Sequence, residues 1–77
     1  MTRLRIVDAR TMEKVLYHLG FQRVRQRGSH VLYRHPDGRT TSLPHHGSRP
    51  LARPLIREIL REIDTTIEAY NDLLAGV

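Results

Sequence analysis

The chain has 77 residues and no cysteine, and it carries 13 Lys and Arg against 8 Asp and Glu, for a net charge of +5. This length predicts one domain over residues 1–77, and the lack of cysteine excludes a disulfide framework and a thiolate metal site. No signal-peptide pattern and no apolar run long enough to span a membrane is present, so we expect a cytoplasmic protein without a membrane anchor.

The first predicted element is a helix over residues 8–19. Asp8 is placed to cap its N-terminus, and Gly20 follows its last residue. The apolar residues recur at the spacing i, i+3, i+4, i+7 that is typical of one buried helix face. They are Met12, Val15, Leu16 and Leu19.

Three strands are predicted next, over residues 21–27, 30–35 and 39–43. The first two are separated by Gly28 and Ser29, a two-residue hairpin signal because glycine readily takes a positive φ. A second turn at residues 36–38 leads into the third strand. The pattern therefore predicts a three-stranded antiparallel meander.

Two helices are predicted after the strands. Pro54 suits the first turn of a helix that ends near Ile63, because its missing N–H would be unpaired there anyway. Thr65 and Glu68 have the spacing of a capping box for a last helix, which we expect to end before Gly76. The element order α-β-β-β-α with a terminal helical extension predicts an α+β fold, with the helices on one face of the sheet.

The register of the hairpin decides where the charged side chains lie, because successive residues of a strand point to opposite faces. A two-residue turn predicts the pairs Arg27 with His30, Arg25 with Leu32, and Arg23 with Arg34. The face covered by the helices would then collect Val24, Gln26, Val31, Tyr33, Thr41 and Leu43. The free face would present His30 among Arg23, Arg25, Arg27 and Arg34.

The basic residues are strongly biased toward arginine, since all of them except Lys14 are of this type. The planar guanidinium binds phosphate oxygens with two hydrogen bonds and stacks on bases, which favours a nucleic acid as partner. An acidic protein surface is the alternative partner, and a merely solvated sheet face is the alternative role of the arginines.

His30 is the candidate catalytic residue, since imidazole transfers protons near neutral pH. RNA cleavage needs a base for the 2′-hydroxyl, an acid for the leaving oxygen and cations on the phosphate. Ser29 in the adjacent turn is a candidate phosphate contact, and His46 is a candidate second proton carrier, because His30 is expected opposite Pro44. Each could equally be an ordinary polar loop residue. Neither a cofactor nor a metal site is expected here.

The string RQRGSHVLYRHPDGR, from Arg25 to Arg39, resembles the HicA (YcfA-like) toxin family. The resemblance extends over roughly residues 4–75 and includes Leu19-Gly20-Phe21, Pro44, His46 and Gly47. It implies the fold of a double-stranded-RNA-binding domain and the activity of an mRNA interferase that cleaves with His30. It also implies a HicB-like antitoxin partner that masks this site.

Three hypotheses for the function follow. The first is an RNA endonuclease, the toxin of a type II toxin–antitoxin system, with metal-independent acid–base chemistry at His30 and mRNA as its substrate. The second is a non-catalytic RNA-binding module on the same fold. The third is a basic adaptor that binds only an acidic protein.

Overall fold

The computed structural model describes residues 3–77. Its elements in chain order are α1 (Ala9–His18), β1 (Gln22–Arg27), β2 (His30–Arg34), β3 (Thr40–Pro44), α2 (Arg53–Glu62) and α3 (Ile67–Gly76). The strands form one antiparallel sheet in the order β1-β2-β3. The predicted α+β layout, that of a double-stranded-RNA-binding domain with an added helix, is confirmed.

Helix α1 is one residue shorter at each end than the predicted helix over residues 8–19, and Asp8 is its N-terminal cap as predicted. The Asp8 side chain accepts a hydrogen bond of 2.9 Å from the Thr11 N–H, which pairs one of the free donors of the first turn. At the other end Gly20 has a φ of +98°, a conformation that L side chains rarely adopt. The predicted apolar face lies in the core, with Met12, Val15 and Leu16 fully buried and Leu19 half-buried.

The predicted register of the hairpin is correct for the residue pairs next to the turn and wrong for the pair further from it. Arg27 pairs with His30 and Arg25 with Leu32, as predicted, but Arg23 lies opposite Tyr33 and not opposite Arg34. Val24 is the extra residue of a β-bulge, which puts two residues of β1 against one of β2.

This bulge moves the side chains upstream of it to the other face. Arg23 was predicted on the free face and instead points toward α1, where it contacts Glu13. Val24 was predicted under the helices and is instead 48% exposed. Both predictions assumed an unbroken alternation, which a single extra residue reverses.

The helices cover β2 and β3, while every residue of β1 remains exposed. Side chains from β2, β3, α2 and the residue that follows α2 meet in the core, namely Val31, Tyr33, Thr41, Leu43, Ile56, Ile59, Leu60 and Ile63. Thr41 is the polar member of this set, and its hydroxyl donates a 2.7 Å hydrogen bond to the Glu62 carboxylate. The other face of the sheet carries exposed His30, Arg34 and Ser42.

The N-terminal cap of α3 is Thr66, and the prediction of Thr65 is wrong by one residue. The Thr66 hydroxyl accepts from the Ala69 N–H at 3.1 Å. Thr65 lies after the end of α2, and its N–H donates to the Leu60 carbonyl of that helix at 2.9 Å. Helix α3 also includes Gly76, which was expected to lie beyond it.

The segment before α1, for which the sequence predicted no structure, is fixed to the rest of the fold. Leu4 is buried at 5% exposure, and the Leu51 N–H donates to the Val7 carbonyl at 2.9 Å. The Tyr70 hydroxyl donates a 2.8 Å hydrogen bond to the Arg5 carbonyl, and burial raises the pKa of that hydroxyl to about 12. These contacts tie the two ends of the described chain together.

Candidate active site

His30 lies at the beginning of β2, directly after the turn that joins it to β1. Gly28 in this turn has a φ of +58°, as the predicted hairpin requires. His30 is exposed and lies opposite Arg27 on one side and Pro44 on the other. Ser29 is half-buried between the two strand ends.

A shallow cleft of about 170 Å³ lies around His30 on the free face of the sheet. It is lined by Arg25, Arg27, His30, Val31, Leu32 and Ser42. The cleft thus combines one imidazole, two guanidinium groups and an apolar floor. Arg34 lies on the same face, four residues or about 13 Å further along the strand.

His46 is not brought into this cleft. It lines a separate cleft of about 120 Å³ together with Pro44, Arg49 and Leu51. The predicted pairing of His30 with Pro44 is correct, but the chain turns after β3, and the Arg49 N–H donates to the His46 carbonyl at 3.3 Å. The structure therefore brings Arg25, Arg27 and Ser29 near His30, and leaves His46 and Arg23 outside that cleft.

A cluster of polar side chains lies on the opposite side of the sheet, between α1 and the end of β3. The Arg23 guanidinium contacts the Glu13 carboxylate at 2.7 Å, and the buried Tyr33 hydroxyl donates to the same carboxylate. The imidazole Nε2 of His45 lies 2.8 Å from the Tyr33 hydroxyl oxygen and 3.7 Å from a Glu13 oxygen. We call these residues, Glu13, Arg23, Tyr33 and His45, the Tyr33 cluster.

The Glu13 carboxyl group of the Tyr33 cluster is ionised at neutral pH. Burial opposes ionisation of Glu13, but hydrogen bonds from Tyr33 and Arg23 outweigh it and hold the pKa of the carboxyl below its ordinary value. Burial and the adjacent carboxylate raise the pKa of the Tyr33 hydroxyl, so this group stays protonated. A carboxylate and a phenol thus form a fixed pair under the sheet.

An open cleft of about 450 Å³ lies beside the Tyr33 cluster. Its lining includes Asp8, Arg10, Glu13, Arg23, His45 and Ser48. We call it the α1–β3 cleft. Sequence reasoning gave His45 no role and did not find this site. The one available signal was Tyr33 itself, because a tyrosine in a predicted core position needs a partner for its hydroxyl.

The remaining histidines do not belong to either cleft. His35 packs edge-on against Phe21, with ring centroids 5.1 Å apart, and its Nδ1 accepts from the Asp37 N–H at 3.1 Å. His18 is exposed on α1.

A sequence model of the HicA toxin of bacterial toxin–antitoxin systems matches residues 9–64. The chain belongs to the HicA toxin family. The match runs from α1 to Asp64, two residues past the end of α2. It includes the sheet, the His30 cleft and every lining residue of the α1–β3 cleft except Asp8. No curated protein sequence matches the chain. Within residues 3–77, this HicA toxin has no helix that combines the length and the apolar character needed to cross a membrane.

Proposed function

We propose that this toxin is an endoribonuclease, an mRNA interferase in which His30 transfers a proton during cleavage of the RNA backbone. The observation that carries the proposal is the cleft on the free sheet face, where exposed His30 lies beside Arg25 and Arg27. Membership of the HicA family supports the same activity.

The proposed reaction needs few groups. The 2′-oxygen of the RNA attacks the adjacent phosphorus and the bond from phosphorus to the 5′-oxygen breaks, so that one proton is removed and one is supplied. Guanidinium groups close to the phosphate stabilise the negative charge that develops on its oxygens. We assign this role to Arg25 and Arg27, because both line the cleft with His30. Arg34 is proposed to contact the RNA backbone further along β2.

Two other residues have proposed roles at this end of the sheet. Ser29 offers a hydroxyl and a turn N–H beside His30, which suits it to hold a phosphate oxygen. His46 is a candidate for a second proton transfer from its own cleft. Arg23 contributes to RNA binding only at the α1 side of the sheet, where its charge is paired with Glu13.

The reaction proceeds without a metal ion or other cofactor. The groups that line the His30 cleft besides the histidine are guanidinium, hydroxyl and apolar side chains, none of which is a preferred ligand of a divalent cation. The absence of cysteine from the chain and the proposed mRNA substrate agree with a cytoplasmic site of action.

The decisive experiment is turnover of RNA in excess chelator. Purified protein is incubated with single-stranded and with structured RNA in EDTA, and we expect cleaved fragments in addition to a mobility shift. A shift without fragments would support a binding module. The absence of both fragments and a shift would support an adaptor for acidic proteins. Activity that is lost in EDTA and restored by zinc would contradict the metal-independent reaction.

We also propose a HicB-like antitoxin that covers the His30 face. This face is cationic and is not covered by the protein's own helices, so an acidic partner can bury it. In the complex we expect loss of ribonuclease activity and slower amide hydrogen exchange over residues 25–31, with exchange in α3 unchanged. A complex that retains full activity and leaves this segment unprotected would contradict the proposal.

A further inference from the structure

The segment before α1 is fixed through three consecutive backbone carbonyls. The carbonyls of Arg3 and Arg5 each accept a hydrogen bond from a side chain of α3, at 2.9 and 2.8 Å. The Leu4 carbonyl between them accepts a 3.2 Å hydrogen bond from the Arg53 guanidinium at the start of α2. The two helices therefore hold the backbone that carries Arg3 and Arg5, while both of these side chains stay exposed.

An open cleft of about 510 Å³ lies where this segment meets α2 and α3. Its charged lining residues are all arginines, namely Arg3, Arg5 and Arg53. The uncharged residues of the lining are Leu4, Ile6 and Asn71. We call it the arginine cleft. Its volume falls within the range of sites for small ligands, about 300–1,000 Å³.

The three guanidinium groups of the arginine cleft have no acidic partner. Within residues 3–77, none of them forms an ion pair with an Asp or Glu side chain. Arg39 and Arg61, by contrast, pair with carboxylates at 2.8 and 2.6 Å. Like charges that share a cleft repel one another, so an anion with several charges would be bound favourably between them.

The start of α2 adds to this positive potential. Arg53 is the first residue of the helix, and the cap residue Ala52 before it forms no side-chain hydrogen bond. The free N–H groups of a first helical turn carry a partial positive charge. Asn71 has a different role, because its amide donates to the Arg3 carbonyl and so holds the segment in place.

The geometry favours phosphoryl groups that are linked to one another. A guanidinium binds two oxygens of a phosphoryl group at once through its planar fork. Arg3 and Arg5 are two residues apart, so their Cα atoms are separated by at most about 7 Å. Their side chains can therefore reach neighbouring phosphoryl groups of one anion, with Arg53 approaching from α2.

We propose that the arginine cleft binds an oligophosphate, that is, a chain of two or three linked phosphoryl groups. Two sources carry this chemistry, a free nucleoside triphosphate and the 5′-triphosphate end of an RNA. The site is separate from the His30 cleft, and the inference does not depend on RNA cleavage. Arg3 and Arg5 also lie outside residues 9–64, the part of the chain that the HicA family model matches.

The first test locates the site with inorganic tripolyphosphate as the probe. The protein is labelled with nitrogen-15 and titrated, and binding is followed by amide NMR and by calorimetry. We expect saturable binding of one anion at this site, with the largest changes in chemical shift at residues 3–6 and 52–54. Changes confined to residues 25–34 would place the anion on the free face of the sheet and overturn the proposal.

The second test removes two of the guanidinium groups with Arg3→Gln and Arg5→Gln together. The hydrogen bonds that hold the segment are kept, because at both positions they involve the backbone carbonyl. We expect the affinity for tripolyphosphate to fall about tenfold for each arginine, since a hydrogen bond to a charged group contributes at least that much.

The matched control is Lys14→Gln with Arg61→Gln, which removes the same two charges from exposed residues outside the arginine cleft. Its affinity should stay within about threefold of the wild type, because salt screens distant exposed charges. Circular dichroism checks that both double variants are folded. Equal affinity of the wild type and the Arg3→Gln, Arg5→Gln protein would reject the site.

Two RNAs of one sequence, with a 5′-triphosphate or a 5′-hydroxyl, distinguish the two sources. Tighter binding of the triphosphate RNA that is lost in the Arg3→Gln, Arg5→Gln protein assigns the cleft to RNA ends. Equal binding of both RNAs, together with binding of tripolyphosphate, assigns it to a free nucleotide. If tripolyphosphate does not bind and the same variant instead loses affinity for the antitoxin, the cleft is a protein contact and the proposal is wrong.

Discussion

Replacement of His30 by alanine is expected to abolish RNA cleavage and cellular toxicity while RNA binding is kept. Loss of a positioned proton carrier should lower kcat by about 10²–10⁴-fold. The arginines of the free face would still supply the affinity for RNA. His30 is exposed and outside the core, so its removal opens no cavity and should change the free energy of unfolding by less than about 0.5 kcal/mol.

The matched control is His18→Ala, which removes an exposed histidine on α1 that lines neither the His30 cleft nor the α1–β3 cleft. His35 is unsuitable, because its ring packs on buried Phe21 and accepts a backbone hydrogen bond from Asp37. Cleavage is measured in parallel with circular dichroism and with growth after induction. A folded His30→Ala protein that cuts at the wild-type rate would end the assignment of His30.

Replacement of Arg25, Arg27 and Arg34 together by alanine is expected to remove most of the salt dependence of RNA binding. Each phosphate contact on a single strand contributes about −0.7 to the slope of log affinity against log salt, so three contacts contribute about −2. Between about 50 and 200 mM salt, these contacts should account for a roughly 20-fold loss of affinity in the wild type. The triple variant should lose this slope without unfolding, because these side chains are exposed or lie on the free face.

Arg57→Ala is the control for this prediction, since Arg57 is exposed on α2, away from the free face of the sheet. It should leave the salt slope unchanged. RNA affinity is measured by fluorescence anisotropy at several salt concentrations for each protein. An equal slope for wild type and triple variant would show that the free face does not bind the RNA backbone.

The regular elements could be predicted because their signals are local. The spacing of Met12, Val15 and Leu16 defines one face of a helix, and the Asp8 cap and Gly20 define its ends. The pairing of Arg27 with His30 follows from the length of the turn alone. Such signals need no knowledge of distant residues, and they also gave the correct fold class.

The bulge at Val24 could not be predicted by the same reasoning. Arg23 and Val24 occupy an alternating polar and apolar pattern that an unbroken strand would equally satisfy. The outcome depends on packing against α1, where Glu13 binds the Arg23 guanidinium at 2.7 Å. One extra residue therefore moved one arginine from the proposed RNA face to the Tyr33 cluster.

The Tyr33 cluster depends on contacts between distant parts of the chain. Tyr33 is 20 residues from Glu13 and 12 from His45, and no local pattern relates the three. Adjacent His45 and His46 look equivalent in sequence, and only the turn after β3 separates their surroundings. The sequence alone therefore could not show which of these two histidines lies beside Tyr33.

The hydrogen bond from Tyr70 to Arg5 joins residues that are 65 positions apart. A ribosome adds roughly 5–20 residues per second, so Tyr70 is synthesised about 3–13 s after Arg5. During that interval the hairpin that carries His30 has already been synthesised. Tyr70, whose buried ring completes the core beside the N-terminal segment, has not yet been added to the chain. We therefore expect the nascent chain to reach its native packing only after Tyr70 has been synthesised.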